Sequence, residues 1–292
     1  MNIISFDIEE WYLEKKYHGA RIDKYKEFDV YLDRILDILE QEKTQATFFC
    51  LGKMASEFPY VVRKIADKGH EVGCHSNKHM WLTKMTPKEL MYDTKDALMA
   101  LEDVVGKRIV SYRAPAFSIT SHNKWAFEVL ADCGIERDSS IFPAQRDFGG
   151  FESFGSDEPI IVEFNGTRIK EFPICTTKIM GKTIAYTGGG YFRFFPYWYI
   201  RQQMRERDYV ISYFHIADLL HKEGGLMSRE EYENYFKEPG TFFNRFKRYV
   251  KSSLGTKKAF DKMCNLIKSC NYTSLDNVDN DTDWSTAKKI IL

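Results

Sequence analysis

The sequence has no surplus of either charge. Its 292 residues carry 42 Lys and Arg against 42 Asp and Glu, a formal net charge of +0. That balance removes the global attraction expected of a nucleic-acid-binding chain. No apolar run approaches the length of a spanning helix. The opening "MNIISFDIEEWY" has neither a basic n-region nor a long apolar h-region, so the expectation is a cytoplasmic protein without a secretory signal. CxxC pairs are missing as well. Cys50, Cys74, Cys133, Cys175, Cys264 and Cys270 are scattered, and they read as reduced core residues, not a disulfide framework or zinc knuckle. There is no internal repeat.

Hydrophobic residues make up 43% of the chain and aromatics 15%, a globular composition. The length suits one large domain or two ordinary ones. Through the first two thirds, short apolar runs ("NIISFDI", "QATFFCLG", "HEVGCH", "IVSYRAP") alternate with patterns of period near 3.6. Thr86, Pro87 and Glu89 mark a helix start before "ELMYDTKDALMALEDVVG". The alternation implies α/β architecture, a parallel sheet with its helices outside. Later, "IIVEFNGTRIKEFPI" reads as a hairpin turning at Asn165-Gly166, "PYWYIRQQMRERD" as a helix and "YVISYFHIADL" as a buried strand. The expected divisions are a barrel over 1–225, a helical C-terminal extension over 226–272, and a frayed tail over 273–292.

Several apparent motifs fail on inspection. "MGKT" at 180–183 lacks the upstream glycine of a phosphate loop, and "DNDTD" at 279–283 lacks the glycine and glutamate of a calcium loop. The Asn-x-Thr triplets carry little meaning without secretion.

Five other stretches carry chemistry. "HSNKH" sets His75 and His79 four residues apart, about one helical turn, so both rings would project from one side. That spacing suits a metal, though an exposed helix face carries such pairs by chance. The first strand ends in "FDIEEW", and active sites of parallel α/β proteins form at that end. Strand alternation puts Asp7 and Glu9 on one face and Glu10 on the other. "SYRAPAFS" offers Arg113, "GIERDSSIFP" offers Asp138, and "YFHIADL" offers His215. Singly these are a surface Arg, a turn Asp and a core His. Jointly they place acid, His, Arg, Asp and His at successive strand ends.

In that order the chain resembles the NodB-homology polysaccharide deacetylases, carbohydrate esterases of the family 4 type, over about residues 1–270. "HSNKH" matches the family's His-Ser/Thr-x-x-His metal motif, "RAPAFS" is similar to its Arg-x-Pro motif, and "FHIADL" sits where its late catalytic His lies. "DSSIFP", "EFPI", "GGGYFRFFPYW" and "FKRYV" look like the subgroup associated with exopolysaccharide biosynthesis. The resemblance implies a distorted (β/α) barrel and one divalent metal. It makes Asp7 the general base and, with base and ligand separated by one residue, favours Glu9 as ligand, with Glu10 left open. Ala114 and Ala116 stand where many members carry Pro and Tyr.

The implied activity is removal of an N-acetyl group from an amino sugar in a polysaccharide or its biosynthetic precursor. A cation held by Glu9, His75 and His79 would leave positions for water and the acetyl oxygen, and this ligand set fits zinc, although other transition metals share the preference. Arg113 would orient Asp7, His215 would protonate the leaving nitrogen, and Asp138 would orient Arg113 or His215. The Ala116 backbone N–H is the oxyanion-donor candidate. "GGGYFR" brings a flexible loop whose Tyr191 and Phe192 would line the saccharide cleft. Two alternatives stand: a deformylase or other amide hydrolase on a nucleotide- or lipid-linked sugar, and a non-catalytic carbohydrate-binding relative. Finally, residues 242–262 carry Arg245, Lys247, Arg248, Lys251, Lys257, Lys258 and Lys262 against one acid. Such a run is either a peripheral membrane contact or the solvated face of a docked helix.

Overall fold

The computed structural model describes residues 1–146, 149–220, 225–236 and 238–292. Its strands are β1 (Asn2–Ile8), β2 (Thr47–Cys50), β3 (Glu71–Cys74), β4 (Ser111–Tyr112), β5 (Arg137–Asp138), β6 (Ile160–Phe164), β7 (Thr167–Glu171), β8 (Thr176–Ile179), β9 (Lys182–Ala185), β10 (Val210–His215), β11 (Tyr272–Thr273) and β12 (Lys289–Ile291). The main sheet runs β10-β1-β2-β3-β4-β5-β7-β6-β12 and is parallel throughout except for the β6–β7 hairpin. This is the parallel sheet that the alternating pattern implies, in the distorted (β/α) barrel form that the family resemblance implies. Its hydrogen-bonded path keeps two ends rather than closing.

The local signals explain the elements. β1 is buried on both faces from Ile3 to Ile8, as expected of a central parallel strand. Helix Ile22–Gln41 covers the sheet with Phe28, Leu32, Ile35, Leu36 and Leu39. Helix Pro87–Val105 starts in a complete capping box between Thr86 and Glu89 and stops at left-handed Gly106. Asn165 and Gly166 both take positive φ (49° and 81°), the two-residue turn that joins β6 to β7. The discarded "MGKT" is a second such turn, with Met180 and Gly181 joining β8 to β9.

The last twenty residues differ from expectation. Where fraying was expected over 273–292, β11 pairs with β1, helix Leu275–Asp281 buries Leu275 and Val278, and β12 adds to β6. Arg137 on β5 donates to Asp276 and Asp279, and Lys170 on β7 donates to Asp279 at 2.7 Å. The segment reads as polar because its acids answer cations from distant strands. Helices Arg229–Phe236, Phe242–Ser253 and Ala259–Ser269 precede it. Only the last of these turns a continuous apolar stripe inward, through Phe260, Met263, Leu266 and Ile267.

Asp279→Ala removes the acceptor for two cations, and should lower unfolding free energy by about 2 kcal/mol in a denaturant titration. A change below about 0.5 kcal/mol is what a frayed tail would give.

Candidate active site

Strand register collects the chemistry at one end of the sheet. Asp7 lies beside His215 across β1 and β10, and Tyr112 beside Asp138 across β4 and β5. His75 and Arg113 each follow their strands, β3 and β4, by one residue.

Arg113 is fully buried beneath this rim. Its Nη1 donates to Asp7 Oδ1 at 2.8 Å and to Ser5 Oγ at 2.9 Å. Its Nε and Nη2 donate to the backbone oxygen and hydroxyl of Ser139, and the ring of Phe49 lies 4.2 Å from the guanidinium carbon. Asp7 is thereby held by one oxygen. Its other oxygen, Oδ2, lies 3.7 Å from His215 Nε2.

His75 and His79 are brought together by a loop, correcting the helical expectation. Residues 75–81 are non-helical, and Ser76 and His79 take positive φ (69° and 57°). The loop is held by Asp93, which accepts from the Asn77 N–H at 2.8 Å, and by Ser76 Oγ, which accepts from the His79 N–H. The ring centroids end 5.4 Å apart.

These residues suit a cation. His75 Nδ1 is 2.8 Å from the Arg113 carbonyl oxygen, an acceptor, so Nδ1 carries the hydrogen and Nε2 presents its lone pair. The Nε2 atoms of His75 and His79 lie 3.5 and 2.7 Å from Glu9 Oε2, yet that buried oxygen receives no well-directed hydrogen bond. Ligand atoms of Glu9, His75 and His79 all fall within 4.8 Å of one another. Burial pushes the Glu9 carboxyl up, but positive charge on His79 and His215 outweighs it and holds the group well below the usual range. Glu10 faces elsewhere. Its Oε1 accepts from the Ala217 N–H at 2.9 Å, and burial followed by repulsion from Glu9 raises its pKa to about 7.

His215 Nδ1 contacts Asp218 Oδ2 at 2.9 Å, leaving Nε2 toward Asp7 and Glu9. Burial opposes its protonation, but Glu9, Asp218 and Asp7 together raise it well above the usual imidazole range. Asp218 was missed in the sequence. The i,i+3 spacing of "HIAD" on the short helix Ile216–Leu219 was the available signal.

Asp138 needs correction. Among the described residues it hydrogen-bonds to neither Arg113 nor His215. Its Oδ1 accepts from Ser140 Oγ at 2.5 Å, and that hydroxyl accepts from the Ala114 N–H at 2.7 Å, so Asp138 fixes the backbone beside Arg113. Asp138 Oδ2 and Glu171 Oε2 are both buried without another donor. Burial, then repulsion from Asp138, raises Glu171 well above the carboxylate range.

A cavity of about 450 Å³ opens over Asp7 and His215, lined by Ala116, Phe117, Arg146, Tyr191, Tyr213 and Asp218 among others. Ala116 sits there in a left-handed conformation (φ 56°). Tyr191 lines the cleft, but Phe192 does not. It is buried with its ring 4.8 Å from Phe214, a core residue. "GGGYFR" is also not a loop: Gly189–Phe194 is a short helix. A Cβ at Gly188 would fall 2.1 Å from the Tyr213 ring, so close approach explains that glycine.

The comparisons agree with this geometry. Residues 22–137 match the polysaccharide deacetylase family model, and residues 139–280 match a domain of unknown function (DUF3473). Residues 22–137 are thus similar to the polysaccharide deacetylases, the family that the sequence motifs resemble. It is 30% identical over 106 residues to a peptidoglycan-N-acetylglucosamine deacetylase of Bacillus cereus, covering 36% of this chain and 48% of that one. It is 30% identical over 97 residues to a chitooligosaccharide deacetylase of Azorhizobium caulinodans, covering 33% and 43%. The chain thus spans less than half the length of either relative. A crystal structure of a presumed polysaccharide deacetylase from Mycobacterium smegmatis superposes with a TM-score of 0.65 at 16% identity, over 100% of this chain and 92% of that one, which shows a shared fold.

Titration with zinc should find one tight site. Glu9→Gln and His75→Ala should each weaken it by at least about 100-fold, since each removes one of three ligands. Glu10→Gln should keep it. Equal losses at Glu9 and Glu10 would show that the ligand set is wrongly drawn.

Proposed function

We propose that this chain is a metal-dependent hydrolase that removes an N-acetyl group from an amino sugar in a polysaccharide or its biosynthetic precursor. The observation that carries the reading is the convergence of three groups on one rim: the Glu9–His75–His79 cluster, the Asp7–Arg113 pair and the His215–Asp218 pair. When bound, a divalent cation, zinc by ligand preference, would polarise the acetyl carbonyl and acidify a water beside it.

The chain's own residues then divide the proton work. Arg113 donates to Asp7 Oδ1 and so turns Oδ2 toward the cleft, where it takes the proton of the attacking water. The Ala116 N–H is a donor for the oxygen charge that develops on the former carbonyl. As the C–N bond breaks, His215 gives a proton from Nε2 to the departing nitrogen, leaving acetate and a free amine. Asp218 holds the opposite ring nitrogen and so sets the direction of that proton. Tyr191 and Tyr213 offer aromatic faces to the C–H surface of a sugar ring.

Acetate release from N-acetylated oligosaccharides is the direct test, and formate release from an N-formylated sugar would move the reading to a deformylase. Asp7→Asn should retain the metal and lose most activity. If it instead strips the metal, base and ligand are exchanged. His215→Ala should lower amide turnover by roughly 100- to 10,000-fold with metal retained, and lower hydrolysis of an activated ester much less. Equal losses on both would remove His215 from the acid role.

A further inference from the structure

Helix Phe242–Ser253 is built the wrong way round for a helix docked on a soluble protein. Phe242, Phe243, Phe246, Tyr249, Val250 and the following Leu254 share one side, an arc of roughly 140° at 3.6 residues per turn. A surface helix normally turns such a stripe to the core. Here every one of the six is exposed, Phe242 at 67% and Phe243 at 71%. The polar side faces the protein instead. Arg245 Nη1 donates to the Met227 carbonyl at 2.9 Å, and Arg248 lines the catalytic cleft. A docked helix whose only solvated side is the basic one does not describe this arrangement, because the apolar arc is exposed as well.

Two further features adjoin this face. A groove of about 930 Å³ runs between the end of helix Gly189–Phe194 and this helix, walled by Phe194, Phe195, Pro196, Val250 and Leu254, with Lys257, Lys258 and one carboxylate, Asp261, also lining it. Phe194 lines both that groove and the catalytic cleft, so the two adjoin. Lys247, Lys257 and Lys258 are exposed around the apolar arc; the side chain of Lys251 lies outside the described residues.

We propose that this face docks on an anionic phospholipid bilayer. The phenyl rings would enter the headgroup–acyl boundary while the lysines, whose long stems let the ammonium groups reach outward, meet lipid phosphates. Charge is what selects this occupant. A second copy of the chain packed on the same face would bring each lysine cluster against its own image, a like-charge contact that an anionic surface avoids. No helix among the described residues is long and apolar enough to cross a membrane, so the contact is peripheral. If the deacetylase reading holds, the nearness of groove and cleft presents the site to saccharide carried at the bilayer surface. The docking itself does not depend on that reading.

The test is sedimentation of the full chain with vesicles of phosphatidylcholine alone or mixed with phosphatidylglycerol. The chain should pellet with the mixed vesicles, less so at high salt, and hardly at all with phosphatidylcholine. The combined variant Phe242→Ser, Phe243→Ser, Phe246→Ser changes exposed positions only and should keep its circular dichroism, yet lose vesicle partitioning by on the order of 100-fold. Lys257→Glu with Lys258→Glu should lose about tenfold. His79→Ala should partition like the parent chain, which separates docking from catalysis. Absence of binding to mixed vesicles, or unaltered binding by the triple serine variant, would overturn the proposal. So would a dimer in solution that the serine variant converts to monomer without any vesicle binding by the parent.

Discussion

A guanidinium with no access to water sits at the centre of this protein, and much of the rim is arranged to keep it there. Burying a cation costs several kcal/mol unless its charge is answered and its N–H groups are all used. The charge of Arg113 is answered by Asp7, and four of its five N–H groups donate to Asp7, Ser5 and Ser139, which come from β1 and from the residue just beyond β5. The same contacts tie β1 to the β4–β5 edge of the sheet and aim the remaining oxygen of Asp7 outward. The carboxylate proposed as general base is thus also the structural counter-ion of Arg113.

A second tier supports the first. Burial raises both Asp138 and Glu171 above the usual carboxylate range, which eases the placing of two carboxyls together in the core near the positive charge of Arg113. Through Ser140 this pair holds the backbone of Ala114, and through Arg113 its carbonyl oxygen orients His75. Glu10 does similar work on the other side, where its carboxyl meets the first turn of helix Ile216–Leu219 directly after His215. Substituting any of these residues would loosen the cleft without touching a substrate.

The charges at the cleft favour a cation there. Asp7, Glu9, Glu10 and Asp218 crowd around His75, His79 and His215; Arg113 answers Asp7 and Arg193 lies 3.4 Å from Asp218, which leaves Glu9 to the histidines. Burial opposes protonation of His215, yet Glu9, Asp218 and Asp7 together draw it well above its ordinary range. A cation held at Glu9 would lessen that pull.

Local chemistry was legible in the sequence. The alternation of apolar runs and helical periods, the Thr86 capping box and the Asn165-Gly166 turn depend on neighbours a few residues away, and they formed as read. So did the strand-end positions of Asp7, Arg113 and His215, because a strand's direction fixes which end its last residue reaches. What tertiary structure alone decided were the partners. His75 and His79 meet through a loop held by Asp93, not through helical spacing. Asp138 turned to Ser140 and Glu171, Phe192 went to the core, and a polar-looking tail became part of the sheet because Arg137 and Lys170 awaited its acids. Helix Phe242–Ser253 announced its amphipathic pattern but not which side would face out. In each case the deciding energy is the pairing or burial of a group against residues far away in the chain, and a one-dimensional pattern carries no record of that distance.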